Sequence, residues 1–190
     1  MIYLATANPK KAAELGSLLG GFDVLPRPDW IAEIDETMDS FEGNSVLKAQ
    51  AIAEATSATA IADDSGLEVA ALGDRPGVYS ARYAGEFATD EENVAKLLEE
   101  LDGSVNREAK FVCVIAIAFP DGTFSSFRGE TTGQIAYVST GSGGFGYDPV
   151  FIPDDGDGRT FAEMGASEKA SISHRGRAIA KLVDFLANSG

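Results

Sequence analysis

Four stretches of this chain combine residue types that could do chemistry. In Asp63-Asp64-Ser65-Gly66, two carboxylates, a hydroxyl and a glycine directly follow the apolar run Ala60-Ile61-Ala62. The abrupt change predicts that a buried strand leaves its sheet at Asp63, the kind of place where open α/β sheets bind ligands. Neighbouring side chains there can face opposite ways, so one aspartate can brace the loop while the other faces a metal ion or a water. Gly66 permits a sharp turn and a close approach to a bound group. The string equally fits a solvated turn, and taken alone it decides nothing.

The second stretch is Thr6-Ala7-Asn8-Pro9-Lys10-Lys11, read as a strand end followed by a helix start, with Asn8 as N-cap and Pro9 at the first helical position. Free amides at such a start attract anions, and Lys10 or Lys11 could add charge. The G-x-x-x-x-G-K phosphate loop is absent. An ordinary capped helix with solvated lysines would look the same. In the third stretch, residues 139 to 149, four glycines surround Phe145 and Tyr147 and lead into Asp148-Pro149. A ring held on a glycine scaffold suits stacking on a planar base, and Asp148 could accept hydrogen bonds from a ring N–H or a ribose hydroxyl. In the fourth stretch, Ser173 as N-cap places His174 and Arg175 in the first turn of a helix. Cations oppose the helix dipole there, which a bound anion or an electron-rich carbonyl would explain.

Periodicity supplies the elements that must hold these stretches. A strand over residues 2 to 6 precedes a helix carrying Ala12, Leu15, Leu18 and Leu19. A short strand over 22 to 25 and an irregular segment over 26 to 36 lead to a helix from about Asn44. Leu47, Ala51 and Ala55 form its apolar stripe, with Val46, Ala49 and Ala53 close by. Glu42, just before it, is favoured at a helix start without any metal. Thr89 and Glu92 form a capping box for a helix bearing Val94, Leu97, Leu98 and Leu101, which reads as purely structural. Residues 109 to 119 form a long apolar strand that turns at Pro120-Asp121-Gly122 into a hairpin partner over 123 to 130, with a third strand over 131 to 138. A last helix carries Ala178, Ile179, Leu182, Val183 and Leu186. The pattern is α/β: a mixed sheet with helices packed on it.

Composition narrows the classes of function. Thirty acidic residues against fifteen basic ones leave a formal charge of −15, which repels nucleic-acid backbones and anionic membranes. Neither kind of partner is expected, and no apolar run reaches the roughly 20 residues that span a bilayer. The N-terminus starts directly with a strand pattern and lacks a basic leader, so a cytoplasmic location is expected. Cys113 is the single cysteine, which rules out disulfides within the chain and thiolate zinc sites.

Five motifs now stand in order: Thr6-x-Asn8-x-x-Lys11, Ala62-Asp63-Asp64-Ser65-Gly66-Leu67, Tyr79-Ser80-Ala81-Arg82-Tyr83, Gly143-Gly144-Phe145-Gly146-Tyr147-Asp148-Pro149 and Glu168-Lys169-x-x-Ile172-Ser173-His174-Arg175. Together they resemble the signature of the inosine triphosphate pyrophosphatase family, also called Ham1-like, over almost the whole chain. The resemblance implies a Mg²⁺-dependent homodimeric enzyme that hydrolyses ITP, dITP and XTP to the monophosphate and pyrophosphate. It implies one domain over residues 1 to 190, elongated, with a long mixed sheet flanked by helices and a cleft between two lobes. Carried over by motif, Thr6, Ala7, Asn8, Pro9, Lys10 and Lys11 hold the triphosphate. Asp64 is the general base and a metal-site carboxylate, and Ser65 binds phosphate. Phe145, with Gly146 and Tyr147 beside it, stacks on the purine, and Asp148, Lys169, His174 and Arg175 complete the base and phosphate contacts.

One departure stands out. The family usually shows Phe-x-Glu-Asn with that glutamate on the metal, whereas this chain has Phe41-Glu42-Gly43-Asn44. Either Glu42 takes over as ligand, or Asp63 and Asp64 suffice with extra waters. Ala7 also replaces a frequent glycine. The missing glutamate keeps open an alternative, a nucleotide-binding sensor that has lost hydrolysis.

Overall fold

The computed structural model describes residues 1–6 and 8–188; Ala7, expected among the triphosphate ligands, lies outside them. Seven strands form one mixed sheet: β1 (Ile2–Leu4), β2 (Val24–Leu25), β3 (Thr59–Val69), β4 (Arg75–Pro76), β5 (Glu108–Ala118), β6 (Phe124–Ile135) and β7 (Phe151–Pro153). The order across the sheet is β2-β1-β3-β5-β6-β7, with β4 paired to β3. β1 runs parallel to both β2 and β3, in a register that sets Tyr3 beside Leu25 and Ala60. β4 on β3 and β7 on β6 are antiparallel. Among the described residues there are five α-helices: α1 (Pro9–Leu18), α2 (Phe41–Thr56), α3 (Asp90–Glu100), α4 (Ala166–Ile172) and α5 (His174–Asn188).

The chain divides into two compact units, the first made of Met1–Asp64, Cys113–Gly129 and Gly176–Gly190, the second of Ser65–Val112 and Glu130–Arg175. Each has its own core. In the first, Leu15 and Leu19 pack with Ile61, Ile115, Ile117, Ala178, Ile179 and Leu182, and Ala49, Ile52 and Ala53 pack with Ala60, Ala62, Ala116 and Ala118. In the second, Leu67, Leu97, Leu101, Phe111, Phe151 and Phe161 form the centre. Each fully buried leucine or phenylalanine contributes roughly 1.5–3 kcal/mol relative to exposure, the main force holding these clusters.

Several expectations are corrected. β3 does not leave the sheet at Asp63; it continues through Asp63, Asp64, Ser65 and Gly66 to Val69. Partners within the protein replace water around both carboxylates, so the strand does not need to surface to solvate them. Residues 131 to 138 are not a separate strand, because β6 continues to Ile135. Thr131-Thr132 offers β-favouring residues and no turn chemistry, and Gly133 leaves the room that β7 fills; a Cβ there would collide with the Ile152 carbonyl. α2 begins at Phe41, because Ser40 caps it by accepting from the Gly43 amide at 3.1 Å. Its buried face carries Phe41, Asn44, Ser45, Lys48, Ala49, Ile52 and Ala53, not the stripe through Leu47, Ala51 and Ala55. That face opens with polar residues because carboxylates lie opposite it. α4 was not foreseen in so polar a stretch.

Candidate active site

In the first unit, α1 starts as its sequence requires: Asn8 Oδ1 accepts from the amides of Lys10 at 2.9 Å and Lys11 at 3.2 Å. The Asn8 amide in turn donates to Thr6 Oγ1 at 3.2 Å. The amides expected to face a phosphate are thus capped by the Asn8 side chain. Pro9 occupies the first helical position, and Lys10 is exposed. Lys11 turns inward, its Nζ 3.3 Å from Asp63 Oδ2.

Alternation along β3 gives the two aspartates different neighbours. Asp63 braces α1 through Lys11, while Asp64, 3% exposed, accepts from Asn44 Nδ2 of α2 at 3.0 Å. One turn beyond Asn44, Lys48 reaches Glu36 at 2.5 Å. Burial pushes the Asp64 carboxyl up to about 6; Lys48 opposes this and the charge of Glu36 adds to it. Burial works against the charge on Lys48, but Asp64, Asp63 and Glu36 together outweigh it and hold the ammonium above the ordinary lysine value. The result is a largely buried cage of three carboxylates, Asp63, Asp64 and Glu36, and two ammoniums, Lys48 and Lys11.

Asn44, Lys48 and Glu36 escaped the reading of the sequence. The signal for two of them is local, since Asn44 and Lys48, at i and i+4, share one helix face with Ala49, Ile52 and Ala53. Glu42 lies on the exposed side of the α2 start, where its Oε1 accepts from Ser126 Oγ at 2.5 Å. A Cβ on Gly43 would come within 2.8 Å of Met38 Cβ and 3.0 Å of Ser40 Oγ, so a glutamate there would need this segment to shift.

The second unit holds the glycine loop. Asp148 Oδ2 accepts both the Phe145 amide at 2.9 Å and Lys169 Nζ at 2.6 Å, closing the loop on a buried ion pair. Gly144 has φ +69, and a Cβ there would land on the Asp148 carboxylate, so only glycine lets the loop wrap that side chain. The Gly146 amide donates to Asp90 Oδ2 at 2.9 Å, and the Tyr147 hydroxyl donates to the Ser80 carbonyl at 2.8 Å. α3, read as purely structural, therefore also holds the loop. Tyr147 is buried, whereas the Phe145 ring is half-buried, with Lys169 Nζ 5.0 Å and Arg175 Cζ 5.6 Å from its centroid. α5 starts at His174 as expected, and His174 and Arg175 are both buried. Arg175 Nη2 donates to Ser65 Oγ at 2.9 Å. The His174 ring lies flat against Phe111, centroids 4.6 Å apart and planes 9° apart.

A buried carboxyl raised to about 6, Asp64, in one unit, and a cation-flanked aromatic platform in the other, define an α/β protein equipped for nucleotide chemistry. Comparison with known proteins names the group. The Ham1 family model matches residues 2–185, and the chain belongs to that family. It is 48% identical to the dITP/XTP pyrophosphatase of Deinococcus deserti, over 95% of this chain and 86% of the relative. Identity to the dITP/XTP pyrophosphatase of Bacillus subtilis is 45%, over 96% and 95% of the two chains. The solved structure of the Staphylococcus aureus Ham1 protein superposes with a TM-score of 0.91 at 41% identity, covering 100% of this chain and 99% of that one.

Proposed function

We propose that this chain hydrolyses ITP, dITP and XTP to the nucleoside monophosphate and pyrophosphate, clearing them from the nucleotide pool. The observation that carries the chemistry is Asp64, a buried carboxylate whose carboxyl titrates near 6, mostly ionised at neutral pH yet basic enough to take a proton. Asp64 orients a water and accepts its proton as the water oxygen attacks the α-phosphorus. The bond to the β-phosphate bridging oxygen breaks, and pyrophosphate leaves. Thr6, Asn8, Lys10 and Lys11 serve the phosphate chain, and Ser65 with Arg175 offers further donors. Phe145 stacks on the purine, its loop held by Asp148, Lys169 and Asp90. His174 and Arg175 donate toward O6, which accepts, whereas the 6-amino group of adenine would meet them donor to donor.

Among the described residues, no group of three His, Cys, Asp or Glu could hold a metal ion. Mg²⁺ needs only one or two carboxylates when substrate phosphates and waters supply the rest, so Asp64 fits as its protein ligand. Glu42 would have to leave Ser126 to join it. When bound, Mg²⁺ would neutralise charge on the leaving pyrophosphate. The sensor reading finds no support, since relatives 48% and 45% identical are named for pyrophosphatase activity. Among the described residues no helix is long and apolar enough to cross a membrane. The family resemblance favours a cytoplasmic homodimer, and sedimentation tests the dimer.

The decisive experiment is a panel of ITP, dITP, XTP, GTP and ATP, with and without Mg²⁺, with the products identified. Release of pyrophosphate from the 6-keto substrates, lost in Asp64→Asn while nucleotide binding persists, is the expected result. Orthophosphate release would replace this reading with a phosphatase, and binding without any release would restore the sensor.

A further inference from the structure

We propose that Phe111 is a specificity-determining positioning residue, which clamps the His174 imidazole in one orientation and so helps reject 6-amino purines. This rests on the assignment of the second unit to base recognition. The two rings are stacked and nearly parallel, 9° apart with centroids at 4.6 Å. Phe111 is itself wedged by Phe151, centroids 4.6 Å apart and planes at 60°, and by Phe161 at 6.0 Å and 23°. Phe151 and Phe161 also touch each other, at 5.2 Å.

Both imidazole nitrogens lie on the ring edge, so a ring pressed face-on against Phe111 hydrogen-bonds only in its own plane. A neutral imidazole carries a donor on one nitrogen and an acceptor on the other. A half-turn about the Cβ–Cγ bond would put the carbons Cδ2 and Cε1 where Nδ1 and Nε2 stand, removing the donor that suits O6 and opposes the adenine amino group. Midway through that turn the ring stands edge-on to Phe111, and neither Phe111 nor the rings behind it can withdraw from so closely packed a core. Phe111 thus keeps the donor pattern of His174 single-valued without touching the nucleotide. Discrimination then includes a barrier against the wrong base as well as contacts to the right one.

The test compares Phe111→Leu, His174→Ala and a core control, Leu97→Val, using kcat and KM for ITP and ATP and proton NMR. His174 is the only histidine in the chain, so its imidazole signals are identified by composition alone. In the wild type, the Phe111 ring current should hold these signals upfield of a free imidazole. In Phe111→Leu they should move back downfield, and the ITP-to-ATP ratio of kcat/KM should fall by roughly three- to tenfold, the scale of one aromatic pair. The fall should come through KM, with kcat for ITP nearly kept, and Leu97→Val should change neither readout. Unshifted histidine signals in the wild type would overturn the proposal even if Phe111→Leu failed to fold. So would an unchanged ratio in folded Phe111→Leu, or an equal fall in Leu97→Val. If His174→Ala lowers the ratio while Phe111→Leu does not, base recognition stands and the clamp falls. An unchanged ratio in His174→Ala removes both.

Discussion

Asp64 and its neighbours show how one residue's chemistry is set by side chains distant in sequence. Its carboxyl is raised to about 6 by burial, against an unfolded value near 3.8, so the folded protein holds that proton more tightly than the unfolded chain. Its contribution to stability is therefore full below about pH 4 and is lost as pH rises through about 6. In metal-free protein, the stability of Asp64→Asn relative to wild type should climb across that window by on the order of 2–3 kcal/mol, read from urea midpoints at successive pH values. Parallel curves would show that Asp64 ionises in the fold as it does in the coil. Lys48 is the counter-test. Lys48→Met leaves Glu36 without its 2.5 Å partner and Asp64 without its main opposing cation. Losing the ammonium from this part-buried pair and from beside buried Asp64 should destabilise by on the order of 1–3 kcal/mol, seen as a lower urea midpoint at pH 7.

At the scale of elements, α3 does two jobs that separate by mutation. Its start is a capping box, with Thr89 Oγ1 accepting from the Glu92 amide at 3.2 Å and Glu92 Oε2 from the Thr89 amide at 2.8 Å. Thr89→Ala should lower stability by about 1 kcal/mol, measured by thermal melting, and leave kinetics alone. Asp90, the next residue, carries the Gly146 amide. Asp90→Ala should raise KM for ITP about tenfold with kcat little changed, because it frees the loop that seats the base and leaves the carboxylate cage intact. Asp90→Asn, which still offers a carbonyl oxygen, should recover part of the loss. Equal effects on kcat and KM would mean that α3 does more than seat the loop. The capping box was legible from Thr89 and Glu92 alone because caps act over three residues. The bond from Asp90 to Gly146 spans 56 positions and leaves no local trace.

Over the whole molecule, a formal charge of −15 on 190 residues works against compactness through self-repulsion. Added salt shortens the reach of that repulsion, so the melting temperature should rise between about 0.05 M and about 0.5 M NaCl; a flat or falling trend would show that local ion pairs outweigh it. Local, ordered patterns carried much of this protein into view from its sequence: the Asn8-Pro9 helix start, the apolar strand read over 109 to 119, the α5 start at His174 and five motifs in series. Each depends on residues a few positions apart, where propensity and capping act. Three things needed the tertiary structure: the passage of β3 through its own carboxylates, the polar face of α2 that supplies Asn44 and Lys48, and the stacking of Phe111 on His174. All three depend on what buries a charge or a ring. Burial is a property of segments brought together by folding, so no window of sequence contains it.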